Sequence, residues 1–154
     1  MKKSQFNNLV NEGFNHIPLS REVVVDTATP LALYLKLANN PYSYFLESVQ
    51  GGEKWGRYSF IGLASETVIK VNNYKIRIEK NGKLIQEHEV EDPLVWIEEY
   101  QNQFKVPQLD NLPDFNGGFV GYFGYEIVRY IEPKLAHINK TDELNVPDIL
   151  LMVS

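Results

Sequence analysis

Glu47, Ser48 and Arg57 are the side chains in this sequence whose chemistry points most directly to a bound small molecule. A carboxylate accepts hydrogen bonds, a hydroxyl both donates and accepts them, and a guanidinium presents a forked set of donors. An amino-acid zwitterion needs acceptors for its ammonium group and donors for its carboxylate. These three side chains, with Leu46 as part of an apolar wall, would therefore suit a free amino acid.

Two short β-like runs, Tyr42–Leu46 and Tyr58–Ile61, must position these side chains. The glycine pair Gly51-Gly52 lies between them, and two such runs joined by a glycine-containing loop predict a hairpin. The polar residues would then converge at the strand ends. Tyr44 belongs to the first run, and we interpret it as ordinary core rather than as a pocket wall.

A structural role for the same polar residues stays open on the residues alone. Ser48 would then satisfy a backbone group nearby, and Glu47 would be a turn residue facing solvent. Arg57 would pair across the hairpin with Glu47 or Glu53, which is a weak interaction at a surface.

The rest of the sequence predicts an α+β fold, with a largely antiparallel β-sheet and helices packed on its faces. Asn81-Gly82 predicts a tight hairpin, and Thr29-Pro30 and Asp92-Pro93 predict helix starts. The helix after Pro30 is expected to be largely buried. The strands are expected at Arg21–Asp26, Glu66–Val71, Tyr74–Ile78, Lys83–Glu89, Gly117–Phe123 and Asp148–Val153. Gly117–Phe123 is expected to be a central strand pressed against another backbone.

Composition excludes several classes of protein. The chain has 154 residues, 44% of them hydrophobic, which suits a single globular domain. The formal net charge of −5 and the lack of a basic patch argue against nucleic-acid binding. No apolar run approaches the roughly 20 residues that span a bilayer. Cysteine is absent, which rules out disulfides and thiolate metal sites within these residues. We expect a cytoplasmic protein.

No pattern of catalytic or metal-binding residues stands out. The three histidines, His16, His88 and His137, are scattered without ligand spacing. The acidic residues from Glu87 to Asp92 suit an exposed strand that leads into a helix cap. The repeat Gly118-x-x-Gly121-x-x-Gly124 lacks the residues of a phosphate loop, so close backbone packing explains it better.

Two segments together resemble the N-terminal region of the anthranilate synthase component I family. One is FLESVQGGEKWGRYSFIG, from Phe45 to Gly62, and the other is GGFVGYFGYEIVRY, from Gly117 to Tyr130. With the connecting β-rich part, the resemblance covers nearly the whole chain. Phe45 departs from the commonest family pattern, which has a leucine at that position.

The resemblance implies a function for the hairpin and for a longer parent protein. It implies that residues 1–154 are the N-terminal domain of a larger layered α/β fold, without the chorismate-binding catalytic domain. The parent would make anthranilate and pyruvate from chorismate, using Mg²⁺ and ammonia from a glutamine amidotransferase, component II. Ser48, Glu47, Leu46 and Arg57 would bind L-tryptophan as a feedback inhibitor. This chain would carry no catalytic residue and no metal ligand.

Two alternatives and one further expectation remain. The parent could instead resemble the related aminodeoxychorismate synthase component of folate synthesis, or the chain could be a free-standing amino-acid-binding module. The sequence ends inside the apolar run Ile149–Val153, which favours a part of a longer protein. We therefore expect this strand to be partly uncovered, and the chain to self-associate at high concentration.

Overall fold

The structure is a computed structural model that describes residues 1–47, 58–110, 112–113, 115–135 and 144–154. It confirms an α+β fold built on antiparallel strands. The α-helices are α1 (Lys3–Asn11), α2 (Pro30–Leu37), α3 (Pro93–Gln101) and α4 (Val128–Ile131). The strands are β1 (Tyr44–Glu47), β2 (Ser59–Gly62), β3 (Thr67–Asn72), β4 (Lys75–Lys80), β5 (Lys83–Glu89), β6 (Phe119–Phe123) and β7 (Ile149–Val153). Short 3₁₀ helices span Tyr125–Ile127 and Pro133–Leu135.

The main sheet has five strands in the order β5-β4-β3-β7-β6, and every neighbouring pair is antiparallel. β1 and β2 form a separate two-stranded sheet. In the main sheet Ile69 of β3 lies opposite Ile78 of β4 and Leu151 of β7. Because directly opposed residues share a face, this register gathers apolar side chains of the three middle strands on one side.

The core lies between that side of the sheet and α3. Ile97 of α3, 7% exposed, packs against a cluster of strand residues that are nearly all fully buried. The strand members are Ile69, Val71, Ile76, Ile78, Ile149 and Leu151. Ile127 and Tyr130 also pack on this cluster. The opposite face of the sheet carries Lys70 and Glu79, which form an ion pair.

The turn and cap predictions are confirmed. Asn81 and Gly82 have φ values of 51° and 73°, as the tight turn between β4 and β5 requires. Thr29 accepts a hydrogen bond from the Ala32 amide at the start of α2. Asp92 accepts hydrogen bonds from the Leu94 and Val95 amides at the start of α3. These short-range signals work because they depend only on neighbouring backbone groups.

Two predictions for the first forty residues are wrong. Residues 21–25 form no strand and are exposed, although they are rich in β-branched residues. α2 begins where predicted but is not largely buried: Leu31, Leu35 and Leu37 are 51%, 57% and 60% exposed. Propensity and capping act locally, whereas burial requires a partner surface. Among the described residues, no element packs over Leu31, Leu35 and Leu37 closely enough to bury them.

Two predictions for the later strands also need correction. β6 lies at an edge of the described sheet and not at its centre. β7 is the strand with two neighbours there, and its Ile149, Leu151 and Met152 are 0%, 3% and 8% exposed. The expectation that this strand is partly uncovered therefore fails for these three side chains, whereas Leu150 and Val153 are partly exposed. The close backbone approach at β6 is confirmed, since a Cβ on Gly121 would lie 1.9 Å from the Leu150 carbonyl oxygen.

Candidate functional site

The hairpin of β1 and β2 holds the part of the predicted amino-acid site that the structure describes. Its register pairs Leu46 with Phe60 and Glu47 with Ser59. Successive residues of a strand point to opposite faces. Leu46 and Glu47 therefore lie side by side in sequence but face opposite sides of the hairpin.

Glu47 is exposed at the end of β1. Its carboxylate oxygen Oε1 accepts a hydrogen bond from Ser59 Oγ at 3.4 Å. A carboxylate has about four acceptor sites in all, so one long hydrogen bond leaves capacity for a ligand ammonium. The role of Glu47 as an acceptor for a ligand stays a prediction.

Leu46 and its neighbours form an apolar wall on the other face. Leu46 is 46% exposed and lies opposite Phe60. The Phe60 ring meets Phe115 edge to face, with ring centroids 4.9 Å apart. Since Phe115 precedes β6, this contact joins the hairpin to the loop that enters the main sheet. Sequence reasoning missed Phe60 and Phe115, although the position of Phe60 opposite Leu46 follows from the hairpin register.

Tyr44 is partly buried and packs within the hairpin, outside the core cluster in which it was expected. Its ring covers Gly62, where an added Cβ would lie 2.0 Å from Tyr44 Cε1. The Tyr44 hydroxyl is 2.8 Å from Ser154 Oγ. The first contact packs the Tyr44 ring on β2. The second connects the Tyr44 hydroxyl, and hence β1, to the residue that follows β7.

α2 supports the Glu47 face of the hairpin. Tyr34 of α2 stacks on Phe45 with centroids 5.6 Å apart, and its hydroxyl is 3.2 Å from Ser43 Oγ. Phe45 therefore has a specific partner, which gives the aromatic ring at this position a packing reason. The contact orients the hairpin relative to the start of the chain.

Ser48 and Arg57 lie outside the described residues, so their convergence with Glu47 stays a prediction. The structure places Leu46 and Glu47, two of the four predicted residues. Both residues lie at the end of β1, on opposite faces of the hairpin. That end is the position from which the chain continues to Ser48.

A second polar cluster, around Asp148, was not predicted as a unit. Asp148 Oδ2 accepts hydrogen bonds from the Tyr130 hydroxyl at 2.6 Å and from the Asn73 amide at 2.7 Å. Asp148 Oδ1 accepts a hydrogen bond from Arg129 Nη2 at 2.9 Å. Tyr130 also donates to the Asn73 carbonyl oxygen. Glu126 also pairs with Arg129 at 3.5 Å, but Asp148 is the closer partner of Arg129 at 2.9 Å.

The Asp148 cluster is a structural joint. Burial raises the pKa of the Tyr130 hydroxyl, and its hydrogen bond to the Asp148 carboxylate raises the pKa further. The phenol therefore stays protonated and remains a donor. The cluster ties α4 to the turn between β3 and β4 and to the start of β7. The available signal was the Tyr-Glu-x-x-Arg-Tyr sequence, from Tyr125 to Tyr130, ahead of Asp148.

A polar groove of about 770 Å³ runs along the open face of the sheet beside Lys70, Lys75 and Arg77. Lys70 pairs with Glu79 at 2.7 Å, and Arg77 pairs with Glu87 at 2.8 Å. These cations are thus balanced by neighbouring carboxylates. The groove offers no concentrated charge of one sign to a charged ligand.

The described part of the chain was also searched for groups of metal ligands and for membrane-spanning helices. There, no group of three or more histidine or acidic side chains is arranged to hold a metal ion. The predicted Mg²⁺ therefore finds no fitting ligand set in these ranges. Among the same residues, no helix has the length and apolar character to span a membrane.

Comparison with known proteins gives a consistent result. The chain is 53% identical over 154 residues to anthranilate synthase component 1 of Pseudomonas putida, which covers all of this chain and 31% of that protein. The protein of the same name from Pseudomonas aeruginosa is 51% identical with the same coverage. That from Aquifex aeolicus is 39% identical over 146 residues, or 94% of this chain and 29% of its own length. No protein-family model matches the chain.

The extent of these matches matters as much as their identity. The chain spans about a third of the length of the curated relatives that it matches. The matched part includes the hairpin and the glycine-rich segment before α4, since the first two alignments cover every residue.

Proposed function

This chain is homologous along its whole length to part of the proteins named anthranilate synthase component 1, and from that premise we propose that it is the N-terminal regulatory portion of such an enzyme. The observation that carries the proposal is identity of 39–53% across 94–100% of the chain. We place the parent enzyme in the cytoplasm, in tryptophan biosynthesis.

The parent would convert chorismate and ammonia into anthranilate and pyruvate. Its relatives are named as component 1, which supports a second component as partner, and we assign that component the release of ammonia from glutamine. Mg²⁺ would be held by the remaining part of the parent. The described residues here contain no fitting ligand group, so we assign none of them a catalytic step.

The hairpin would hold L-tryptophan as an inhibitor. Glu47 offers an exposed carboxylate at the end of β1 for the ligand ammonium. Leu46, opposite Phe60, offers apolar surface for the indole ring. Ser48 and Arg57 would complete the zwitterion contacts, as a hydroxyl and a guanidinium can bind a carboxylate.

The test is tryptophan inhibition of the full-length parent carrying Ser48→Ala. Deleting one partner of a buried hydrogen bond costs about 1–3 kcal/mol. Tryptophan affinity should therefore fall by roughly five- to hundred-fold. Turnover without tryptophan should be retained, because the inhibitor acts on an equilibrium between states of the enzyme.

Ser4→Ala is a matched control, because Ser4 is an exposed serine of α1, and its inhibition curve should match the wild type. An inhibition curve for Ser48→Ala equal to that of the wild type would remove Ser48 from the site. A joint loss of turnover and inhibition would instead show that Ser48 maintains the structure.

A further inference from the structure

Residues 21–25, with the sequence Arg-Glu-Val-Val-Val, combine strong strand propensity with almost complete exposure. Val23, Val24 and Val25 are 67%, 83% and 50% exposed. Valine is enriched in strands because its branched side chain packs well on a pleated surface. Three consecutive valines in solvent leave that preference unused.

The backbone of this segment is unpaired as well. Within the described residues, the amide and carbonyl groups of residues 21–25 make no hydrogen bond to other backbone groups. Each such group must be paired if it becomes buried. The segment therefore has both requirements of a strand, apolar side chains and available backbone groups, but has no neighbouring strand among the described residues.

The helix that follows shows the same feature. Leu31 and Leu35 of α2 lie four residues apart, hence on one face of the helix, and are 51% and 57% exposed. Leu19, just before the valine run, is 72% exposed. Large exposed apolar regions on a protein mark contact surfaces. Residues 19–35 thus carry apolar surface on both a strand-like segment and a helix.

We propose that residues 21–25 form a β-strand in the parent enzyme, by pairing with a strand that lies outside residues 1–154. The relatives indicate where such a strand would come from, since this chain corresponds to only 31% of their length. A covalently connected partner is present at high effective concentration. It therefore pairs more readily than a second copy does.

Backbone hydrogen bonds would give this strand addition its stability, and successive valines would point to opposite faces of the extended sheet. The inference rests on the proposed function only in requiring a longer parent. It does not require that the parent make anthranilate or bind tryptophan.

The first experiment places the photo-crosslinking residue p-benzoylphenylalanine at position 24 of the full-length parent. The expected product is an intramolecular cross-link to a peptide outside residues 1–154. A cross-link within residues 1–154, or one between two molecules, overturns the proposal. Leu84 on β5 is a matched control position because it is 54% exposed, and it should not reach the same peptide.

The second experiment measures amide hydrogen exchange of the unmodified parent. Exchange of those amides of residues 21–25 that pair with the new strand should be slowed by about 100-fold or more relative to an unstructured peptide, independently of protein concentration. Exchange at the unstructured rate overturns the proposal, and so does protection that appears only at high concentration.

Substitutions then test the side chains. At least one of Val23→Asp and Val24→Asp should lower the parent's melting temperature more than Leu84→Asp does, and Val24→Thr should retain stability because threonine is also β-branched. If neither aspartate variant differs from the control, the proposal fails. Anthranilate formation by the wild-type parent is measured separately, so that failure of the proposed function is distinguishable from failure of this strand pairing.

Discussion

Asp148 shows how one carboxylate can join distant parts of a chain. It accepts hydrogen bonds from Tyr130, from the Asn73 amide and from Arg129. Hydrogen bonds to a charged acceptor contribute more than neutral ones. Asp148, which precedes β7, thus connects α4 and the β3–β4 turn to that strand. Its loss would weaken the contacts among these three elements.

Replacing Tyr130 with phenylalanine tests this joint. The change removes the hydroxyl donor while keeping the ring that packs on the core. We expect the free energy of unfolding at neutral pH to fall by about 1.5–3 kcal/mol. Urea denaturation would measure it. Tyr125→Phe is the control, since Tyr125 is 88% exposed, and its midpoint should not move. Equal midpoints for Tyr130→Phe and the wild type would show that the Tyr130 hydroxyl does not stabilise the fold.

The same tyrosine predicts a loss of stability in alkali. Burial and then Asp148 raise the pKa of Tyr130 in the folded chain. The unfolded state therefore releases the phenol proton first, at a pH of about 10, and stability falls as the pH rises beyond that value. Denaturation at pH 7, 9 and 10.5 should show a steeper alkaline loss for the wild type than for Tyr130→Phe. Parallel loss in both proteins would show that other groups are responsible.

At the scale of elements, α2 and α3 have similar starts but different surroundings. Both begin with a capping residue followed by proline. α3 places Ile97 in the core, whereas α2 exposes Leu31 and Leu35. The same capping sequence therefore begins both helices, but α3 packs on the sheet whereas those apolar residues of α2 remain exposed.

Removing the two caps should have unequal effects. Asp92→Ala deletes an acceptor for two amides and should cost about 1–2 kcal/mol of stability, while Thr29→Ala deletes an acceptor for one amide and should cost about 0.5–1 kcal/mol. The loss of stability for Asp92→Ala is larger also because fraying of α3 would weaken the packing of Ile97 in the core. Denaturation midpoints measure both, with Asp110→Ala in an exposed turn as control. A larger loss for Thr29→Ala would contradict this order.

At the scale of the whole molecule, we expect the isolated chain to self-associate at high concentration. The apolar run Ile149–Val153 was the reason for this expectation, but Ile149, Leu151 and Met152 are buried. The exposed apolar surface of residues 19–35 explains the expected self-association better. Sedimentation velocity over a concentration series should show larger species that Val24→Asp reduces and Leu84→Asp does not. A monomer at every concentration would contradict the prediction.

We also expect the chain alone to make no anthranilate, since the proposal places the chorismate site and Mg²⁺ in the rest of the parent. The assay would supply chorismate, Mg²⁺ and excess ammonia to residues 1–154 and follow product formation. The full-length parent under identical conditions is the positive control. Turnover that co-purifies with the isolated chain would refute the division of roles.

Features that depend on near neighbours in the chain were predictable from the sequence. The Asn81-Gly82 turn, the caps at Thr29 and Asp92, and the alternation in β4 were predictable because their causes lie within a few residues. The candidate hairpin was predictable for the same reason, and its described strands pair as expected. The family resemblance was also present in short segments, chiefly around Leu46-Glu47-Ser48 and Gly117–Gly121.

Which elements pack against one another became known from the folded chain and not from the sequence. Strand order placed β7 between β3 and β6 and moved β6 to an edge of the described sheet, because such neighbours are set by contacts between residues far apart in sequence. Residues 21–25 have the propensity of a strand but no neighbouring strand among the described residues, since propensity cannot supply the second strand. The Asp148 cluster likewise joins residues 18 to 75 positions apart, a proximity that follows from the folded chain alone.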